Sequence, residues 1–270
     1  CSAEDAGEGK CFGGSARLVT ALAEARARSD NTILVDGGDQ FQGTLFYTYY
    51  KGKMTAEFMS KLGYDAMTVG NHEFDDGPEV LRGFIDAVGF PVLMSNADVS
   101  GEPLLADKIR KSVVIERGGE KLGLIGLTPQ DTVDQRVAAG TTGVDVIVGG
   151  HSNTYLSNVS EDAVGPYPTM VGKTAIVSAY AYGKFLGELN VTFNDAGEVT
   201  SAVGEPLIMD AAVAEDQPTL DRIAELAKPL EEIRNRVVAE ATAPIDGARE
   251  SCRAVECPMG NLIAEAMLDR

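Results

Sequence analysis

Short apolar runs rich in β-branched residues alternate with stretches of helical periodicity through the first hundred residues. That alternation constrains the fold more than any other feature. Asn31-Thr32-Ile33-Leu34-Val35-Asp36 ends on Gly37-Gly38 and reads as a buried strand. Before it, residues 17–26 have helical periodicity, with Ser15 expected as the N-cap. After it come a helix near residues 54–62, a strand at 66–70, a helix at about 78–88 and a strand at 91–95. The order β-α-β-α-β predicts parallel strands joined by right-handed crossovers.

The pattern then changes. Residues 112–117 and 121–127 flank Gly118-Gly119 and read as a hairpin. A strand at 144–148 follows. Residues 174–180 and 185–193 read as a second hairpin, with a turn at Asn194-Asp195-Ala196-Gly197 after Phe193. The expected class is α/β, a two-sheet sandwich with flanking helices. Leu220, Ile223, Leu226, Leu230, Ile233 and Val237 recur at helical steps, which predicts one long helix over 216–241, kinked by Pro229. Three parts are therefore expected: a main domain over 1–210, a linker helix over 211–241, and the start of a second domain over 242–270.

Charge narrows the partners. The chain has 41 acidic against 23 basic residues, a formal charge of -18, which repels nucleic acid and anionic membranes. No apolar run is long enough for a membrane span. The four cysteines form two sequence-local pairs, Cys1/Cys11 and Cys252/Cys257, in polar surroundings. Two local disulfides in an oxidising compartment fit them, which predicts a periplasmic or secreted location.

Three segments share one grammar: an apolar strand, glycine, then residues able to bind metal. They are Gly37-Gly38-Asp39-Gln40-Phe41-Gln42-Gly43-Thr44, Gly70-Asn71-His72-Glu73-Phe74-Asp75 and Gly149-Gly150-His151-Ser152-Asn153-Thr154. Ligands bind beyond the carboxyl ends of strands in α/β sheets. The chain has two histidines, His72 and His151, and both fall in these segments. The chemistry expected is metal-assisted phosphoester hydrolysis. Two divalent cations activate a water and neutralise charge on the transferring group. Asp39 suits a bridging position. His72, with Asp75 to orient it, has the character of a proton donor to the leaving oxygen. Taken singly, Asp39 is more often a cap, Asn71 a turn residue and either histidine a satisfied loop residue. Tyr47, Tyr49 and Tyr50 are expected in packing.

These segments resemble the calcineurin-like metallophosphoesterases, and more narrowly the two-domain 5′-nucleotidase family. Ser95-Asn96-Ala97-Asp98 and residues 253–267 are similar to that family as well. The resemblance implies a four-layer α-β-β-α sandwich, a linker helix and the beginning of a substrate-binding domain. It implies two divalent cations (Mn, Zn, Co, Fe or Mg), with Asp39 shared, Asn71 and His151 on one and Asn153 on the other. His72 would act on the leaving group, held by Asp75, and the substrate would be a nucleotide. A cyclic-nucleotide phosphodiesterase, a sulfur-compound hydrolase and a non-catalytic nucleotide- or metal-binding relative stay open. The family's Asp-x-His motif is missing, as is its further histidine, where Gln130-Asp131-Thr132 runs into Val133. Omitted segments are the expected reason, because losing a strand and a crossover helix exposes core surface and strand edges.

Overall fold

The computed structural model describes Asp5, residues 8–128 and residues 133–269. Cys1 and the segment Gln130-Asp131-Thr132 lie outside the described residues. The chain divides into two compact units, Cys1–Ala227 and Lys228–Arg270.

In the first unit, β1 (Val35–Asp36), β2 (Ala66–Thr68) and β3 (Val92–Leu93) form a parallel sheet in that order. Val35 pairs with Ala66, and Met67 with Val92. Helix α1 (Ser15–Arg28) precedes β1. Helices α2 (Leu45–Tyr50) and α3 (Gly52–Leu62) join β1 to β2, and α4 (Gly77–Ala87) joins β2 to β3. The expected β-α-β-α-β order is present, with strands shorter than their apolar runs. One local reading is corrected, and one helix is added. Ser15 is inside α1, whose cap position is Gly14 with no capping side chain. The stretch after Thr44 is helical: the Thr44 hydroxyl accepts from Tyr47 N at 3.4 Å and starts α2.

The main core lies between this sheet and its helices. Phe41, Tyr47, Met59, Met67, Val69, Leu81 and Phe84 are buried together. Phe41 meets the Phe84 ring edge-on at 5.4 Å and Tyr47 at 5.0 Å. Phe41 thus anchors the loop that follows β1. Tyr47 packs as expected, whereas Tyr49 is 48% exposed.

A hairpin of β4 (Ser112–Arg117) and β5 (Glu120–Ile125) turns at Gly118-Gly119, as predicted. Helix α5 (Val133–Gly140) leads to β6 (Val146–Val148). Beyond β6, β7 (Thr169–Val171) and β8 (Thr174–Val177) complete a mixed sheet of order β6-β8-β7, with β6 and β8 parallel. The predicted hairpin between 174–180 and 185–193 does not form. β8 is buried along its whole length and pairs on both sides within that sheet. β9 (Phe185–Phe193) pairs instead with β10 (Val199–Ile208) across the turn at residues 194–197. Leu156, Tyr167 and Val177 form a smaller core, with Leu189 against it.

Helix α6 (Gln217–Asn235) contains Pro229 and stops short of the predicted end at Ala241. The second unit holds α7 (Arg249–Ala254) and α8 (Pro258–Leu268), linked by the Cys252–Cys257 disulfide. Cys257 also caps α8, accepting from Gly260 N at 3.3 Å. Cys11 is disulfide-bonded as well. No helix among the described residues is long and apolar enough to cross a membrane.

Candidate metal centre

The three glycine-led segments all follow the carboxyl ends of strands: β1 leads to the Asp39 loop, β2 to the Asn71 loop and β6 to the His151 loop. Backbone proximity brings them together. A Cβ at Gly38, whose φ is +87°, would lie 2.5 Å from Gly70 N and 2.8 Å from its Cα. A Cβ at Gly150 would lie 2.6 Å from Gly37 O. Glycine is needed at both contacts because any side chain would force the loops apart.

Glu73 locks the first two loops together. Its carboxylate is fully buried and accepts from Asp39 N (2.9 Å), Gln40 N (2.7 Å), Phe41 N (3.2 Å) and Gly70 N (2.7 Å). Burial pushes its pKa up, and those four donors pull it back. Sequence reasoning places Glu73 in its motif and assigns it no role. A carboxylate one residue after the histidine is the available signal, but its four partners are known only from the folded chain.

With the loops fixed, side chains converge. Asp39, itself at φ +61°, accepts from His72 N through Oδ1 at 3.0 Å. His151 Nδ1 lies 2.7 Å from Asn71 Oδ1 and 3.6 Å from Asp39 Oδ2. His72 Nδ1 meets Asp75 Oδ2 at 2.8 Å, and Gln42 Nε2 donates to the same oxygen at 3.0 Å. The Asp75 hydrogen bond raises the His72 pKa, with the negative charges of Asp39, Asp75 and Glu73 adding to it. Just behind, Asp36 accepts from Gly38 N at 2.9 Å and Gln40 Nε2 at 2.9 Å, yet burial pushes its pKa up to about 7.

Of the expected residues, Asp39, Asn71 and His151 share one centre, and His72 with Asp75 borders it. Asn153 sits at φ +52° two residues past His151 and lines a neighbouring depression with Tyr155 and Tyr180. A carboxylate oxygen at 3.6 Å and an amide oxygen at 2.7 Å from one imidazole nitrogen form a mixed oxygen and nitrogen donor set that fits a divalent cation. Among the described residues, no group of three or more His, Cys, Asp or Glu side chains is arranged to hold a metal ion by itself. The set found therefore relies on the Asn71 amide.

The comparison with known proteins covers nearly the whole chain. The 5′-nucleotidase of Diplobatis ommata is 35% identical over 97% of this chain and 56% of its own length. The snake venom 5′-nucleotidase of Naja atra is 34% identical over 99% of this chain and 60% of its own. The chain thus spans a little over half the length of these relatives. Their alignments cover 321 and 327 positions against 270 residues here, so each relative carries segments opposite gaps in this chain. The crystal structure of a 5′-nucleotidase precursor from Thermus thermophilus superposes with a TM-score of 0.80 at 35% identity, over 95% of this chain and 61% of that one. A family model described as calcineurin-like phosphoesterase matches residues 5–155, which takes in all three loops. On that match, and on the sheet-end loops it spans, the chain belongs to the calcineurin-like phosphoesterase family.

Proposed function

We propose that this chain hydrolyses phosphate monoesters with the help of divalent cations, and that its substrates are nucleoside 5′-monophosphates. The observation that carries the reading is the convergence of Asp39, Asn71 and His151, with His151 Nδ1 at 2.7 Å from Asn71 and 3.6 Å from Asp39. Asp39, Asn71 and His151 would hold one cation. Asp39 would be shared with a second, for which Asn153 is the further donor. Cations bound there supply positive charge to the phosphate oxygens and make water a better nucleophile at neutral pH.

The remaining steps belong to the chain. With Nδ1 engaged by Asp75, His72 leaves Nε2 to face a substrate oxygen. The raised pKa favours the protonated ring, the form that can give a proton to the leaving alkoxide. Glu73 keeps the Asp39 and Asn71 loops in register without touching substrate. The nucleotide preference is supported by the two 5′-nucleotidases aligned over nearly the whole chain. A secreted or periplasmic location is supported by the Cys252–Cys257 disulfide, by the bonded Cys11 and by the venom origin of one relative.

The test is phosphate release. Folded chain supplied with manganese, cobalt or zinc is expected to liberate inorganic phosphate from a nucleoside 5′-monophosphate. Absence of release with every one of these metals contradicts the proposal. Metal bound without turnover identifies a binding protein.

A further inference from the structure

The 3-10 turn His72–Phe74 sets Asp75 one turn beyond His72, and side chains so spaced on such a turn eclipse each other. Asp75 N donates to His72 O at 3.1 Å and closes the turn. This brings the Asp75 carboxylate to Nδ1 of His72 but does not hold the pair still. The His72 and Asp75 side chains are 47% and 36% exposed, and a pair in water gains little against the freedom its side chains lose. A contact from outside the turn has to set the carboxylate.

That contact comes from the loop after β1. Gln42 Nε2 donates at 3.0 Å to the same Oδ2 that meets His72. The loop is fixed on both sides of Gln42: Phe41 is buried in the main core, and the Thr44 hydroxyl caps α2. Gln42 itself stands at φ +78°, a left-handed conformation costly for a residue other than glycine and kept where the surroundings enforce it. Glycine would take that backbone freely, as Gly43 does at φ +93°. Gln42 is exposed, so its side chain adds the hydrogen bond to Asp75 rather than core packing. The next carboxylate is gripped from the same side. Tyr47 Oη donates to Asp76 Oδ2 at 2.7 Å, and Lys51 Nζ to Asp76 Oδ1 at 2.8 Å.

We infer that Gln42 is a positioning residue for the leaving-group step: its amide sets the Asp75 carboxylate, which sets the His72 ring with Nε2 towards the substrate. For the role of His72, this rests on the hydrolytic reading above. The backbone N–H of His72 donates to Asp39 Oδ1 at 3.0 Å, while its ring is tied through Asp75 to Gln42. Both ties run to one loop, residues 39–42. That loop therefore fixes the proton donor relative to the cation-binding carboxylate. Proton transfer needs heavy atoms about 2.6–3.2 Å apart, and a ring free to turn about its Cα–Cβ bond spends only part of its time in reach.

The experiment compares wild type with Gln42→Met, similar in length and without a donor, and with Gln42→Glu, of the same shape but repelling Asp75. Each manganese-loaded chain is assayed on a nucleoside 5′-monophosphate, whose alkoxide takes up a proton as it leaves, and on p-nitrophenyl phosphate, whose phenolate leaves without one. Gln42→Met is expected to lower kcat on the nucleotide about ten-fold more than on the aryl ester, with KM little moved, and Gln42→Glu to lower it further. With His72→Ala already in place, Gln42→Met is expected to add no loss on the nucleotide. Equal falls on both esters, or a full additional fall in the His72→Ala background, overturn the inference, because a purely structural role gives those results. In the metal-free chains, three-bond NMR couplings across the Cα–Cβ bonds of His72 and Asp75 are expected to report one rotamer each in wild type and an average in Gln42→Met. The same single His72 rotamer in both overturns the positioning role. If wild type hydrolyses neither ester while the couplings change as expected, the hydrolytic reading fails and the hold of Gln42 on Asp75 and His72 stands.

Discussion

Removing the Glu73 carboxylate would leave the N–H groups of Asp39, Gln40, Phe41 and Gly70 without their acceptor in a buried place. Glu73→Ala is therefore expected to cost about 3–5 kcal/mol of stability, measured by urea denaturation, and to lower cation affinity in the fraction that folds. A loss below about 1 kcal/mol contradicts the locking role. Asp36 gives a pH signature of opposite character. Its folded pKa of about 7 lies above the ordinary 3.8, so the native state holds the proton more tightly than the unfolded chain does. That contribution to stability is complete below 3.8, declines as pH rises towards 7 and is gone above it. In metal-free chain, Asp36→Asn is thus expected to exceed wild type by about 2 kcal/mol near pH 7.5, after allowance for partial exposure, with the gap closing near pH 4. Thermal melts across that range check it, and a pH-independent difference contradicts it. Asp39, Asn71, His72, Asp75 and His151 are legible in the sequence as residues because each lies in a glycine-led segment at a strand end. The role of Glu73 is not, because it depends on three consecutive N–H groups of a different loop.

At the level of elements, the parallel β1-β2-β3 sheet is legible because each apolar run is bounded by glycine, proline or a helical repeat. The pairing of β8 departs from the expected hairpin for a physical reason. Sequence neighbours favour hairpins, but Thr174-Ala175-Ile176-Val177 has no polar alternation and is buried at every position. A continuous apolar run marks a central strand, and β8 sits between β6 and β7. β9, with its more exposed positions, is left to pair with β10 at the surface. Helix α2 is hard to see in the sequence because Leu45–Tyr50 is crowded with aromatic and β-branched residues of modest helix propensity. The apposition of the β1 and β6 loops rests on Gly37 and Gly150. Gly150→Ala is expected to push His151 away from Asn71 and reduce cation affinity at least ten-fold, read by calorimetric titration. The far-ultraviolet circular dichroism should be retained, with a stability loss of about 1–3 kcal/mol. Unchanged affinity would mean that the two loops need no close approach.

At the scale of the whole molecule, the charge of -18 and the cluster of oxygen donors make bound cations the natural source of local positive charge for a phosphate. The resemblance directs the contacts of a nucleotide's ring to a following domain, of which the second unit holds α7 and α8. The chain's two histidines allow a direct test of convergence, since their imidazole protons give two resolvable NMR signals. Manganese added to the metal-free chain should broaden the His151 and His72 signals together, both complete at no more than two equivalents. If both imidazole signals stay sharp at those equivalents, Asp39, Asn71 and His151 do not form a cation site.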